Sequence, residues 1–162
     1  MTADPILALY DRNVLSWLDE RPAELAVVLQ ALDEAIVRFI YTHILHNELH
    51  PPDPDEMARL TALRERLGGD YVPAAGWVWN VSSKFNEDKF FADEVADLYN
   101  VLRVAEPDEE GRINNARDAL LTLTADGEGA VMVSNDTDLV KWAKAQGLDA
   151  VRPDEFLERL RS

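Results

Sequence analysis

The 162-residue chain carries 31 acids against 16 lysines and arginines, a formal net charge of −15 with a pI near 4.4, which opposes non-specific attraction to any polyanion. It has no cysteine, so disulfides, thiolate metal sites and thiol redox chemistry are excluded, and its length suits a single domain over residues 1–162 with a buried core. No apolar run approaches the ~20 residues of a membrane span, and the N-terminus lacks the layout of a secretion signal, so the expectation is a cytoplasmic protein with no membrane partner.

Residues 5–10 (Pro-Ile-Leu-Ala-Leu-Tyr) read as a first strand, apolar on both faces, ending at Asp11-Arg12-Asn13. A helical turn over 14–18 follows. Pro22 then opens a longer helix to about Ala35, with Leu25, Val28, Leu29 and Leu32 on one face and Glu24 in its first turn. Residues 36–41 (Ile-Val-Arg-Phe-Ile-Tyr) are β-branched and aromatic, and form the second expected strand. Thr42 can cap a short helix from His43 to Leu49, which Pro51-Pro52 stops. Glu48 lies on that helix, where an isolated glutamate is more often a solvated residue than a site. His43, His46 and His50 share its face, but the His-Glu-x-x-His pattern of zinc enzymes and a fourth ligand are both missing. They are read as polar helix residues.

Asp53-Pro54-Asp55-Glu56 is an acidic helix start, and Met57, Leu60, Leu63 and Leu67 give that helix an apolar face before Gly68-Gly69. Residues 70–83 carry no clear periodicity. A helix is expected over 84–104 and a turn over 105–111. Trp77, Trp79, Phe85, Phe90 and Phe91 fit core packing or a partner surface better than a base-stacking platform. A further helix from Arg112 to about Ala125 carries Asp118 in an early turn, where the helix dipole alone can account for an acid.

The stretch from Ala130 to Leu139 is the most informative. Val131, Met132 and Val133 form a run suited to a strand buried on both faces, and the chain then switches to Ser134-Asn135-Asp136-Thr137-Asp138. Asp136 falls at the strand tip, and a plain helix N-cap is the competing reading. A helix over 139–145, a short strand over 149–152 and a terminal helix over 153–160 complete the chain. The order implies a three-layer α/β/α sandwich around a mainly parallel sheet of four to five strands.

In such folds ligands bind beyond the carboxyl ends of the strands. Asp11 and Asp136 stand at two strand tips, with Glu48 and Asp118 on helices that follow or precede strands. Four acids brought together repel and raise one another's pKa unless cations intervene, and hard oxygen ligands favour Mg²⁺ or Mn²⁺. Paired ions of this kind can activate water and stabilise the leaving oxygen in phosphodiester cleavage.

Several segments, taken in order, resemble the PIN-domain nucleases. They are Tyr10-Asp11-Arg12-Asn13-Val14-Leu15, Ile44-Leu45-His46-Asn47-Glu48-Leu49, Asn115-Ala116-Arg117-Asp118-Ala119-Leu120-Leu121 and Val133-Ser134-Asn135-Asp136-Thr137-Asp138-Leu139. The tail from Ala150 to Leu157 also looks like that family's last strand and helix. The likeness spans nearly the whole chain, with a helical insertion around 70–110 that is longer than in the family. The resemblance implies a PIN-like fold and a Mg²⁺- or Mn²⁺-dependent endoribonuclease acting on single-stranded or structured RNA. Asp11, Glu48, Asp118 and Asp136 would be the catalytic metal-site acids, Asp138 an auxiliary ligand, and Asn13 and Ser134 supporting groups. Arg12 departs from the small Thr or Ser usual in the family. With Arg112 and Arg117, it is read as a substrate-binding cation; pairing with surface acids is the competing account. Toxin members of toxin–antitoxin pairs are among the relatives, so an antitoxin-like protein inhibitor and a homodimer join RNA as expected partners. The alternative function is a catalytically degraded PIN-like module that binds a protein. A small-molecule phosphohydrolase is disfavoured, because residue 13 is Asn where an Asp-x-Asp pair would be needed.

Overall fold

The computed structural model describes residues 3–42, 53–72 and 120–162. Its strands are β1 (Ile6–Tyr10), β2 (Val37–Tyr41), β3 (Asp70–Tyr71), β4 (Val131–Val133) and β5 (Ala150–Val151). Its helices are α1 (Arg12–Asp19), α2 (Pro22–Asp33), α3 (Pro54–Leu67), α4 (residues 120–127), α5 (Thr137–Ala145) and α6 (Pro153–Arg161). The strands form one sheet in the order β3-β2-β1-β4-β5, and every neighbouring pair is parallel.

Strand side chains alternate between faces, and each face finds its own helical layer. Ala8 and Tyr10 of β1, Phe39 of β2 and Val133 of β4 point into a core closed by Leu15, Leu60 and Phe156, from α1, α3 and α6, with Val28 from α2. The Tyr10 ring meets Phe39 edge-on, with centroids 5.2 Å apart. On the other face Leu9, Ile40 and Met132 pack against Leu120 and Leu121 of α4 and Leu139 and Val140 of α5. This is the expected three-layer α/β/α sandwich. Because β1 and β4 are buried on both faces, their residues form unbroken apolar runs rather than alternating ones. Among the described residues, no helix is long and apolar enough to cross a membrane.

The departures from expectation have local causes. Helix α1 starts at Arg12, earlier than the expected 14–18 turn, because Asp11 ends β1 and caps the helix at once. Helix α2 stops at Asp33, short of Ala35, which adopts the left-handed conformation at φ 55° that turns the chain into β2. The unassigned stretch after Gly69 opens with β3, which extends the sheet beyond β2; the rest of the insertion expected around 70–110 lies outside the described residues. Met57 is exposed although Leu60, Leu63 and Leu67 of the same helix are buried. Helix α5 begins at Thr137, two residues before Leu139, because Asp136 caps it. The helix expected to end at Ala125 continues to 127, and β5 is shorter than 149–152. The helices expected over 43–49 and 84–104, the 105–111 turn, the three histidines and the aromatics of 77–91 lie outside the described residues.

The chain builds outward from β1 to β2 and β3, then returns to lay β4 on the other side of β1 and moves outward again to β5. The strand order therefore reverses between β1 and β4. At such a reversal the following helices leave on opposite sides of the sheet and a crevice opens at the strand ends.

Candidate functional site

Asp11 and the Ser134–Asp136 segment stand at this reversal. Asp11 is the first residue past β1 and Asp136 the third past β4, and each caps the helix that follows. Asp11 Oδ1 accepts from the backbone N–H of Arg12 at 2.7 Å. Asp136 Oδ1 accepts from the N–H groups of Asp138 and Leu139 at 3.0 and 3.2 Å. The helix-cap account of Asp136 is therefore correct as far as it goes. It leaves Asp136 Oδ2 with no donor among the described residues.

The two tips are tied together by side chains. Asp11 Oδ2 accepts from the Ser134 hydroxyl and from Asn13 Nδ2, both at 3.2 Å. Asn13 Oδ1 accepts from the backbone N–H of Asn135 at 2.9 Å. The Ser134 hydroxyl oxygen also accepts from the Asp136 N–H at 3.1 Å. Asn13 is thus oriented without ambiguity: its oxygen faces β4 and its amide donors face Asp11. A mainly side-chain lattice fixes β1's end against β4's end, while Asp11 N–H extends the backbone ladder to Val133 O at 3.0 Å.

Burial separates the two acids. Asp11 is 7% exposed, whereas Asp136 and Asp138 face solvent. Burial pushes the Asp11 carboxyl above the ordinary carboxylate range, and the nearby charge of Asp136 pushes it the same way. The Arg12 N–H, the Ser134 hydroxyl and the Arg12 charge oppose that rise without cancelling it. A buried carboxylate beside a second acid, each with lone pairs to spare, suits a hard divalent cation. The donor set fits Mg²⁺ or Mn²⁺ in kind. Among the described residues no three or more Asp, Glu, His or Cys side chains gather into a fuller cage. Glu48 and Asp118, the other two expected ligands, and the cations Arg112 and Arg117 lie outside the described residues. Asp138 sits in the first turn of α5, exposed, where it favours the helix dipole.

Arg12 leaves the site on the side of α3. Its terminal nitrogen stands 4.0 Å from Glu56 Oε1, and its Nε is buried with no hydrogen-bond partner. Three further residues belong to the surroundings although sequence reasoning passed over them. Asn135 accepts from Arg152 at 3.4 Å through its side-chain oxygen. Arg152 is the residue just past β5, the same strand-tip position that singled out Asp11. Arg21 stacks over Trp17 of α1, 4.6 Å from the ring centroid, beside the same crevice.

No protein-family model matches the chain, and no curated relative matches it. Its fold is similar to a solved structure, the crystal structure of PAE2754 from Pyrobaculum aerophilum, with a TM-score of 0.55. The alignment covers 97% of this chain and 98% of that one at 15% sequence identity. At that identity the likeness is one of fold alone.

Proposed function

We propose that the crevice is the active site of a Mg²⁺- or Mn²⁺-dependent endoribonuclease of the PIN-like kind. The observation that carries this reading is the buried, hydrogen-bonded Asp11 beside Asp136 at the point where the strand order reverses. Asp11 and Asp136 would hold the metal, with Glu48 and Asp118 completing the acid set and Asp138 at its margin. A divalent ion held by these acids would supply the activation of water and the stabilisation of the leaving oxygen of a phosphodiester.

The protein's own contribution is placement. Asn13 and Ser134 hold the Asp11 carboxylate in one orientation, as the outer partners of metal ligands do. The Asn13–Asn135 bond keeps the turn before α5, and so Asp136, at a fixed distance from β1. Helix-cap bonds use one oxygen of Asp136 and leave the other available. The test is cleavage of end-labelled single-stranded RNA with Mn²⁺, with chelator and with Asp11→Asn. Metal-dependent cleavage by the wild type that disappears in the variant is the expected result. Equal cleavage by both proteins, or none by either, sinks the reading.

A second reading, a PIN-like module that has lost activity and binds a protein partner, draws on the lean of Arg12 toward Glu56 and on the net charge of −15. Under it, Mn²⁺ would leave the melting temperature unchanged, because no native-state metal site would exist to add stability by mass action.

A further inference from the structure

A protein of net charge −15 that acts on RNA needs a place where the strand is not repelled. The ion pairs among the described residues fall into two groups. Away from the crevice, Arg38–Asp70 are in direct contact, Lys144–Glu155 and Arg159–Asp149 approach to 2.8 Å, and Arg59–Asp19 to 3.3 Å. Around the crevice the pairs are loose: Arg21–Glu20 at 3.6 Å, and Arg12–Glu56 and Arg152–Asp154 at 4.0 Å. Glu20 and Asp154, the acids in two of these loose pairs, are more than 70% exposed, so water already carries much of their charge. The ion pairs made around the crevice are thus the longer ones among the described residues.

Arg12 and Arg21 also share a surface, and Arg152 bonds to Asn135 of its lining. A groove of about 360 Å³ runs along α1, lined by Arg12, Asn13, Ser16, Trp17, Glu20, Arg21 and Asn135. Asn13 bonds to Asp11 and Asn135 to Asn13, so the groove borders the acid site. Arg152 reaches the same Asn135 from β5, and its Nε is buried without a hydrogen-bond partner, as is that of Arg12. Arg21 is held over the Trp17 ring and donates to the Trp17 carbonyl at 3.1 Å, which fixes the guanidinium with little rotamer entropy left to lose.

We infer that this groove is the track for the phosphodiester backbone of single-stranded RNA, with Arg21 and Arg152 gripping phosphates that flank the one at the acids. The inference rests on the nuclease reading and gives it a binding surface. A planar guanidinium can hold two phosphate oxygens at once, which a flexible ammonium does less well. The grip is on phosphate, so it does not depend on the 2′-hydroxyl.

The test is fluorescence-anisotropy titration of labelled single-stranded RNA and of the matching DNA over a range of salt. Ca²⁺ replaces Mg²⁺ in these titrations, and cleavage in Mn²⁺ is read separately. Arg21→Ala and Arg152→Ala should each weaken binding of both strands about tenfold, as expected for a lost charged hydrogen bond. Each should flatten the log–log salt slope by about 0.7. Arg159→Ala, which removes an equal charge from a remote and tightly paired position, should bind as wild type. Arg21→Gln covers Trp17 without the charge; wild-type melting with the binding defect of Arg21→Ala supports the track, and restored binding overturns it. If Arg159→Ala weakens binding as much as the others, bulk charge is the cause and the track falls. If wild type cleaves RNA while Arg21→Ala and Arg152→Ala bind normally, the track falls and the nuclease reading stands. If wild type neither binds nor cleaves, both fall.

Discussion

The two ends of the sheet are built on opposite terms. At the amino end of the strands the demands fall on the backbone. Gly69 takes φ 122°, and a Cβ there would lie 2.8 Å from the Phe39 carbonyl oxygen. Ala35 takes φ 55° to join α2 to β2, and the nearby Arg38–Asp70 pair is exposed and polar. At the carboxyl end, around the β1–β4 crevice, the demands fall on side chains: a buried acid, a second acid beside it, and amide and hydroxyl groups that hold both. The first end serves the fold, and its substitutions should alter stability without touching chemistry. The second holds charge where burial opposes it, so its substitutions should separate stability from function. That contrast can be broken by experiment.

The largest effect is expected from Gly69→Ala, where strain at positive φ and a clash with backbone combine to cost about 3 kcal/mol. Chemical denaturation should show that loss, while the stabilisation produced by Mn²⁺ stays the same as in wild type. A changed Mn²⁺ response would mean that the two ends are coupled. Next comes Asn13→Ala, which removes one donor to Asp11 and the acceptor of the Asn135 N–H. Loss of such an outer partner should weaken Mn²⁺ binding about 10–100-fold by calorimetric titration. Wild-type affinity would show that Asn13 serves the turn and not the metal.

Asp11→Asn tests the buried charge through its pH dependence, measured with chelator present. The folded-state pKa of Asp11 is raised, so its contribution to stability is intact below the unfolded-state value of about 4 and is lost as pH rises through the folded value. The asparagine variant has no such loss. It gives up one acceptor at every pH, but its melting temperature relative to wild type should climb from about pH 4 toward neutrality. A difference that stays flat or shrinks would deny that the Asp11 charge costs stability. The smallest effect is at Ala35, where glycine relieves the left-handed strain. Ala35→Gly should add about 0.5–1 kcal/mol and leave RNA and metal binding unaltered.

Much of this architecture was legible in the chain because burial on both faces writes an unbroken apolar run. β1 and β4 announce themselves in that way, β2 by the β-branched and aromatic residues around Arg38, and Pro22, Pro54 and Pro153 mark the starts of α2, α3 and α6. β3 could not be read: Asp70 and Tyr71 are both exposed, and they form a strand only because β2 offers a free edge. Within the site, Asp11 and Asp136 were legible as acids following apolar runs, and Asn13 and Ser134 were drawn in with them. Asn135, Arg21 and Arg152 were not, because their membership depends on contacts made across space. Arg152 and Asn135 are 17 residues apart, and the Asn135 N–H bonds to an oxygen 122 residues away. The rule that picked out Asp11, applied to the end of β5, would have picked out Arg152 as well.

The reversal of strand order also has a consequence in time. Asn13 and Ser134 are separated by 121 residues yet share a hydrogen-bonded cluster, so the crevice depends on contacts of high sequence separation, the kind whose loop-closure entropy slows folding. During synthesis the ribosome delivers Asp11 early, and the nascent chain carries it without Ser134 or Asp136 until most of its length has emerged. The centre therefore waits on β4, and a stalled or truncated product lacking β4 has neither Asp136 nor the Ser134 hydroxyl that holds Asp11. Under the proposed reading, a half-made copy beside the messenger that encodes it is inert, and catalytic competence reports that the sheet has closed.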